Sequence, residues 1–282
     1  MVSLNGLSFT LIEATTTIVG STKGGWMHSS QRPCHEVKLP QFYIMDFPLT
    51  EAQVARAMGA PVNTTEENAA MESLTSLDLL ELSQHIMTGD EYQNAVKQHG
   101  GSWEVRPPTY AEWMTAMHQN ILNLAPGYTE RLADAPAANF HGAMMDGRPR
   151  PQELLGPASL QHAAIAVHPK NMDVTALTSV PTNRALPQVV GRLVFTPIRQ
   201  GPAKRVPLST DRWAIIRSEL LWTSVLGILP SFFIPIMRGM SAYAVNGWAN
   251  LLFGGLCAGF VTGAIWRPKR PILRYDDVIE RR

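Results

Sequence analysis

SWEVRPPTYAEWMTAM, residues Ser102–Met117, describes an extended segment that turns a corner into a helix. Pro107 and Pro108 keep the chain extended, because a residue before proline is pushed out of the α region. Thr109 then stands where an N-cap belongs. Glu112 falls three residues later, so the two complete a capping box. Trp113, Ala116 and Met117 share one face of the helix that follows. Folding alone accounts for most of this order.

Other helix starts are equally explicit. Thr50 precedes EAQVARAMG, with Gln53 at the capping-box position and Gly59 as the stop. Ser76 precedes LDLLELSQHIM, where Leu77, Leu80, Leu82 and Ile86 are expected to form an inward stripe. Between these helices lie short strand-like runs: LSFTLIEATTTIVG, EVKLPQFYIMDF and GRLVFTPIR. Strands and helices in this mixture, with abundant Pro, Asn and Gly, indicate an α+β domain rich in irregular structure. No period of the solenoid kind recurs.

The chain has 282 residues and a formal net charge of +1, which leaves no global field to gather nucleic acid. Its two cysteines, Cys34 and Cys257, exclude a disulfide framework and a cysteine-based zinc site, and suit a reducing compartment. The first residues, MVSLNGLSFTLIEATTTIVGS, lack the basic start and apolar core of a secretory signal. The acidic pairs Glu66-Glu67 and Asp90-Glu91 are expected on a solvated surface.

The last quarter changes character. Leu220–Met237 carries no charge, nor does Gly239–Trp266, and only Arg238 lies between them. Each run approaches the roughly 20 apolar residues that cross a bilayer. The expected organisation is a domain over 1–200, a Pro-rich basic linker over 201–212, a transmembrane helical hairpin over 213–267, and a cytoplasmic tail over 268–282. Ser209, Thr210 and Asp211 are N-cap candidates for the first membrane helix. Pro230 and Pro235 predict a kink in it. Gly255, Gly259 and Gly263 recur every four residues, a face on which another helix packs closely, in the same chain or in a second copy. Asn246 and Asn250 are placed near headgroups or against a partner helix. Arg212 and Arg217 before the hairpin, and Arg267, Lys269, Arg270 and Arg274 after it, put both termini in the cytoplasm. The expected location is the inner membrane.

Several ordered blocks resemble the formylglycine-generating-enzyme (sulfatase-modifying-factor) family. RPPTYAEWMTA is similar to its R-L-P-T-E-A-E-W-E-x-A signature through Arg106, Pro108, Thr109, Ala111, Glu112, Trp113 and Ala116. Gly20-Ser21 resembles the family's early Gly-Ser. Pro33, His35, Val37, Leu39, Phe42, Ile44, Pro48, Thr50 and Gln53 follow its P-x-H-x-V-x-L-x-x-F-x-I-x-x-x-P-V-T-x-x-Q block. ESLTSLDLLELSQHI stands where the family has a helix, and GRLVFTPIR resembles its closing strand. The resemblance covers about residues 15 to 200 and implies a C-type-lectin-like α+β fold.

The activity is not expected to come with the fold. Active relatives resemble one another in a late cysteine pair that binds soft copper(I), and no cysteine stands between Cys34 and Cys257. The relatives that use a three-histidine iron site carry a further helical domain, for which no sequence is present here. The family's G-N-V-W-E-W block is replaced by LLGPASLQHAAIAVHPKN. The expectation is therefore a non-catalytic scaffold subunit without a cofactor, anchored in the bilayer and binding a protein partner, with self-association possible. Two alternatives stay open. One is a membrane-perturbing effector that oligomerises through its glycine face. The other is an enzyme whose metal is held by His141, His162 and His168 with Asp146 or Asp173.

Overall fold

In the computed structural model, residues 1–61, 69–172, 174–208, 212–265 and 269–278 are described. Glu66-Glu67, Asp173, the N-cap candidates Ser209, Thr210 and Asp211, and Arg267 lie outside them. The chain begins with a β-hairpin, β1 (Val2–Leu4) and β2 (Leu7–Ile12), turned by Asn5 and Gly6. Both turn residues have positive φ, 50° and 76°, the geometry that makes Asn-Gly a tight hairpin turn. β3 (Thr15–Val19) pairs with β4 (His35–Leu39) as a separate two-stranded ribbon. β5 (Phe42–Ile44), β6 (Trp103–Arg106) and β11 (Val194–Pro197) join the hairpin in an antiparallel sheet ordered β1-β2-β5-β11-β6. The GRLVFTPIR segment thus supplies the strand between β5 and β6.

This sheet is buried on both faces, and its strands alternate accordingly. Tyr43, Val105 and Phe195 face one core with helices α2 (Ser76–Thr88) and α3 (Asp90–His99), through Leu79, Leu82, Ile86 and Tyr92. Phe42, Ile44 and Val194 face the other, with Ala111 and Ala116 of α4 (Tyr110–His118) and Val37 and Leu39 of β4. A second sheet, β10-β7-β8-β9, is built from β7 (Thr129–Arg131), β8 (Gln161–Val167), β9 (Thr175–Pro181) and β10 (Val189–Val190). Its Ala163, Ile165 and Val167 close around Trp113.

The capping boxes form at Thr50 with Gln53, ahead of α1 (Glu51–Ala57), and at Thr109 with Glu112. The helix near residue 76 differs from expectation. Thr75 is its N-cap, because Asp78 at the third position returns the bond. The inward stripe is Leu79, Leu82, Ser83 and Ile86, while Leu77 and Leu80 point outward, 62% and 51% exposed. Leu82 and Ile86 face inward as expected, and the helical face that runs through them takes Leu79 and Ser83 in place of Leu77 and Leu80.

The C-terminal quarter folds as antiparallel helices. α5 (Arg212–Thr223) runs into one wide π-helical turn, Ser224–Ile228, and then α6 (Leu229–Met237). The wide turn lies just before Pro230, which has no N–H to donate, and the Leu229 N–H reaches back to the Ser224 carbonyl. After a turn at Gly239 and Met240 come α7 (Ala242–Asn246) and α8 (Trp248–Ile265). Of the two expected spanning segments, one is matched by a helix of spanning length. Ile216–Met237 is the one helix among the described residues that is long and apolar enough to cross a membrane. The second run is divided at Gly247, and its apolar helical part, Trp248–Gly263, is shorter.

The segments flanking these helices are docked on the domain. Lys204–Val206 runs beside residues 142–145: Met145 N–H donates to the Lys204 carbonyl and Val206 N–H to that of Ala143, both at 2.9 Å. Val206 is buried. Beyond the helices, Leu273 forms a parallel bridge to His35 at the edge of β4. The stretch read as a tail is therefore tied to the domain over its described part.

Candidate functional site: a buried corner and a cavity under the helices

The RPPTYAEW corner is an internal ion-pair knot. β6 delivers Arg106 and α4 delivers Glu112. The guanidinium grips the carboxylate with two parallel bonds of 2.8 and 3.0 Å. Arg106 also donates to Glu104 at 2.8 Å. The same Glu112 carboxylate receives the Thr109 backbone N–H at 2.8 Å and its hydroxyl at 3.0 Å. Thr196 of β11 and Arg199 just beyond that strand also approach it. Burial alone would push the Glu112 carboxyl up, but the guanidinium of Arg106, with Arg199 and the Thr109 N–H, holds it below the usual carboxylate range. Arg106 stays a cation for the same reason, its pKa raised by Glu112 against the cost of burial. Pro108 is buried between strand and helix. Of the five motif residues, Arg106, Thr109 and Glu112 are thus bonded to one another, Pro108 is buried at the corner, and Trp113 is turned toward the second sheet.

Trp113 is fully buried and donates its indole N–H to Glu130 at 2.8 Å. Glu130 in turn grips Arg192 with both oxygens at 2.6 Å. Arg192 donates its remaining hydrogens to the carbonyls of Met45, Asp46 and Asn123. Neither Glu130 nor Arg192 is singled out by the sequence motifs. The signal for Arg192 is a charge inside the apolar run VVGRLVF, which cannot be buried unless paired.

The histidines do not converge. His141 Nδ1 bonds the Pro207 carbonyl, His162 faces Ser76, and His168 accepts from the backbone N–H groups of Lys170 and Asn171. Asp146 pairs with Arg148. Among the described residues, no group of three or more His, Cys, Asp or Glu side chains comes together.

The glycine face packs within the chain. Gly255 meets Gly227 backbone to backbone, and a Cβ on either would overlap the other's carbonyl. A Cβ on Gly259 would stand 3.2 Å from Thr223 Cγ2. Gly263, one turn on, is buried. Phe232 lies against Trp248, so the partners run 223 with 259, 227 with 255 and 232 with 248, an antiparallel hairpin.

Where the hairpin meets the domain, a cavity of about 1260 Å³ opens between the turn Trp26–Gln31, helices α5 and α8, and the docked segment around Leu273. Both cysteines line it, although they stand far apart in sequence. Cys34 is buried and its thiol is pushed up by desolvation, so it is held as a thiol.

No family model and no curated protein matches the sequence. Among solved structures, the chain is similar to Treponema denticola variable protein 1, at 14% identity over 67% of this chain and 95% of that one, with a TM-score of 0.46. It is similar to CarF at 10% identity over 71% and 100%, with a TM-score of 0.35. It is also similar, at 10% identity over 68% and 95% and a TM-score of 0.49, to PvdO from Pseudomonas aeruginosa, a protein of the formylglycine-generating-enzyme type of fold.

Proposed function

We propose that this chain is a non-catalytic binding subunit held at a membrane by its C-terminal helices, its α+β domain engaging a protein partner in a larger assembly. One observation carries the membrane part. Ile216–Met237 has a mean hydropathy of 1.9, yet only 17% of it is buried inside the protein. A core helix of that composition would be mostly covered; this one leaves Leu220, Leu221, Leu229, Phe233, Ile236 and Met237 each about 60–70% exposed. An apolar surface of that extent calls for lipid or another protein as its solvent. α8 completes a hairpin of about 27 Å, its 18 residues rising 1.5 Å each, close to the roughly 30 Å of a bilayer core. The docked segments at both ends of the hairpin support a single side for the domain and the C-terminus, and the basic flanks favour the cytoplasmic side of an inner membrane.

The non-catalytic part rests on the corner. Arg106 and Glu112 grip each other and Trp113 is bonded to Glu130 in the interior, so the family-like residues serve the fold. The test has two arms. Alkaline carbonate extraction of membranes from expressing cells should leave the chain in the pellet. Purification in mild detergent should recover a protein partner in a fixed ratio, and the purified chain should form no formylglycine on a cysteine-containing sulfatase peptide supplied with copper. Leakage of dye from vesicles on adding the chain would instead favour the membrane-perturbing reading.

A further inference from the structure

We infer that the cavity between the domain and the hairpin is a binding site for a single phospholipid whose headgroup carries both a phosphate and a primary ammonium group. The inference rests on the membrane anchoring proposed above. Its walls are apolar and come from both parts: Trp26 and Leu273 from the domain side, Leu256 and Phe260 from α8. Trp26 packs edge-on against Phe260 with ring centroids 5.0 Å apart, and both rings remain about half exposed or more, 47% and 63%. A tryptophan so placed marks the level of lipid headgroups. The volume exceeds the roughly 300–1,000 Å³ of a drug-sized ligand site.

The polar lining is specific. Arg32 and Arg270 both face the cavity, and Glu219 joins them from α5. Arg32 lies within electrostatic reach of both. Glu219 is the only carboxylate between Arg212 and Tyr275, a stretch that is otherwise apolar, neutral or basic. It sits three residues into the spanning helix Ile216–Met237, at the end nearest the domain. Two guanidiniums match a phosphate, which arginine binds with paired donors. One carboxylate beside them matches an ammonium. The three together complement a zwitterionic phosphoethanolamine headgroup, and the apolar walls take acyl chain. A phosphoglycerol headgroup satisfies the arginines and leaves Glu219 facing a hydroxyl.

The test uses the full chain reconstituted in lipid nanodiscs holding equal phosphatidylethanolamine and phosphatidylglycerol, with retained lipid read by native mass spectrometry after release. One phosphatidylethanolamine should stay with each chain, favoured about tenfold over phosphatidylglycerol. Arg270→Gln should lower retention about tenfold, and Glu219→Gln should erase the preference between the two lipids. Arg270 is chosen because Arg32 also donates to the Gly24 carbonyl and steadies its own loop. If a charge variant melts early, Val261→Trp, which fills the cavity from α8, replaces it and should also displace the lipid. Equal retention of both lipids by the parent, or unchanged retention in the variants, would overturn the site. A carbonate-resistant chain that retains no lipid overturns the site and leaves the anchoring intact. A chain that carbonate strips from the membrane overturns both.

Discussion

Trp113 on α4 and Glu130 on β7 are joined by a 2.8 Å bond from indole N–H to carboxylate, and through Glu130 to Arg192. This chain of three buried side chains ties the helix that starts at the RPPT corner to the second sheet and to the residues just before β11. Its members are each 0–1% exposed in their side chains or as whole residues. An apolar ring, a carboxylate and a guanidinium share one buried site, and each polar atom depends on the others.

Trp113→Ala should therefore cost about 3–5 kcal/mol, the range for truncating a large buried aromatic. Trp113→Phe keeps one aromatic ring but removes the donor to Glu130 and part of the indole volume, so its cost should be smaller, about 1–3 kcal/mol. Urea denaturation of the detergent-purified chain measures both. Equal losses from the two variants would mean that the indole N–H, not the packing, dominates; no loss from either would remove the corner from the folding core.

Glu112 gives a pH dependence whose sign is fixed by its depressed carboxyl. A folded pKa below the unfolded one adds stability above the ordinary carboxylate value, and that stability fades as pH falls through the folded pKa. Asp134 acts the opposite way: burial raises it, so its ionisation weakens the fold as pH rises. Comparing the parent with Glu112→Gln isolates the first term. The variant should be about 3–5 kcal/mol less stable near neutral pH, because Arg106 is left buried beside a neutral amide. The gap should hold steady above the ordinary glutamate value of 4.5 and narrow as pH falls below it through the depressed folded pKa. A gap that stayed constant with pH would mean that the fold leaves the Glu112 carboxyl unshifted, and one that widened as pH fell would mean that the fold holds it protonated.

How much of this was legible beforehand differs by element. The Thr50 and Thr109 capping boxes are local events between residues three apart, so the sequence displays them directly. The strands β4, β5 and β11 show through their apolar content. Glu130 and Arg192 stay hidden because their pairing spans 62 positions and follows no period. The stripe of α2 is misread because five leucine or isoleucine positions in LDLLELSQHI allow two registers, and the choice is made by Thr75 and Asp78 at its start. The glycine face of α8 is legible as a contact, but its partner is Gly227, a lone glycine inside the π turn that no repeat announces. The cavity is hidden for a simpler reason: its lining is drawn from segments near residues 26, 140, 220, 257 and 271.

The docked segment after the hairpin is held mainly by backbone bonds. Leu273 N–H donates to the Cys34 carbonyl and the Glu36 N–H to the Leu273 carbonyl, each at 2.9 Å. Lys38 and Lys204 stand 4.5 and 4.3 Å from the Tyr275 ring centroid. The exposed Lys38–Asp276 pair is screened by solvent and adds little. Leu273→Pro removes the donor to Cys34 and should free the segment, whereas Asp276→Asn should leave it docked. Hydrogen exchange at the Glu36 amide reads the difference: it should become much faster in the first variant and stay slow in the second. Slow exchange in both would show that the strand edge is covered by something other than this segment.

The last prediction concerns the contact between Gly227 and Gly255. Their backbones touch, so neither position has room for a side chain, and any Cβ must push α8 away from the π turn. Gly255→Ala should cost about 1–3 kcal/mol, as for overpacking in a close-packed interior, and Gly255→Leu more. Gly259→Leu should act in the same direction but less steeply, since an added Cβ there meets Thr223 at 3.2–3.4 Å and does not overlap a carbonyl. Because all these contacts lie within one chain, the loss should appear as a lower melting temperature in detergent with the mass of the assembly unchanged. Gly254 is the control, one residue away and with nothing within 4 Å of an added Cβ; Gly254→Ala should be neutral or slightly stabilising, as alanine is the better helix former. Mass measurement in detergent, paired with circular dichroism, separates the cases. A Gly255 variant that fell to a smaller assembly while its helices kept their melting temperature would assign the face to a second copy of the chain. In that event the hairpin would be an oligomerisation device, and the membrane-perturbing reading would gain its strongest support.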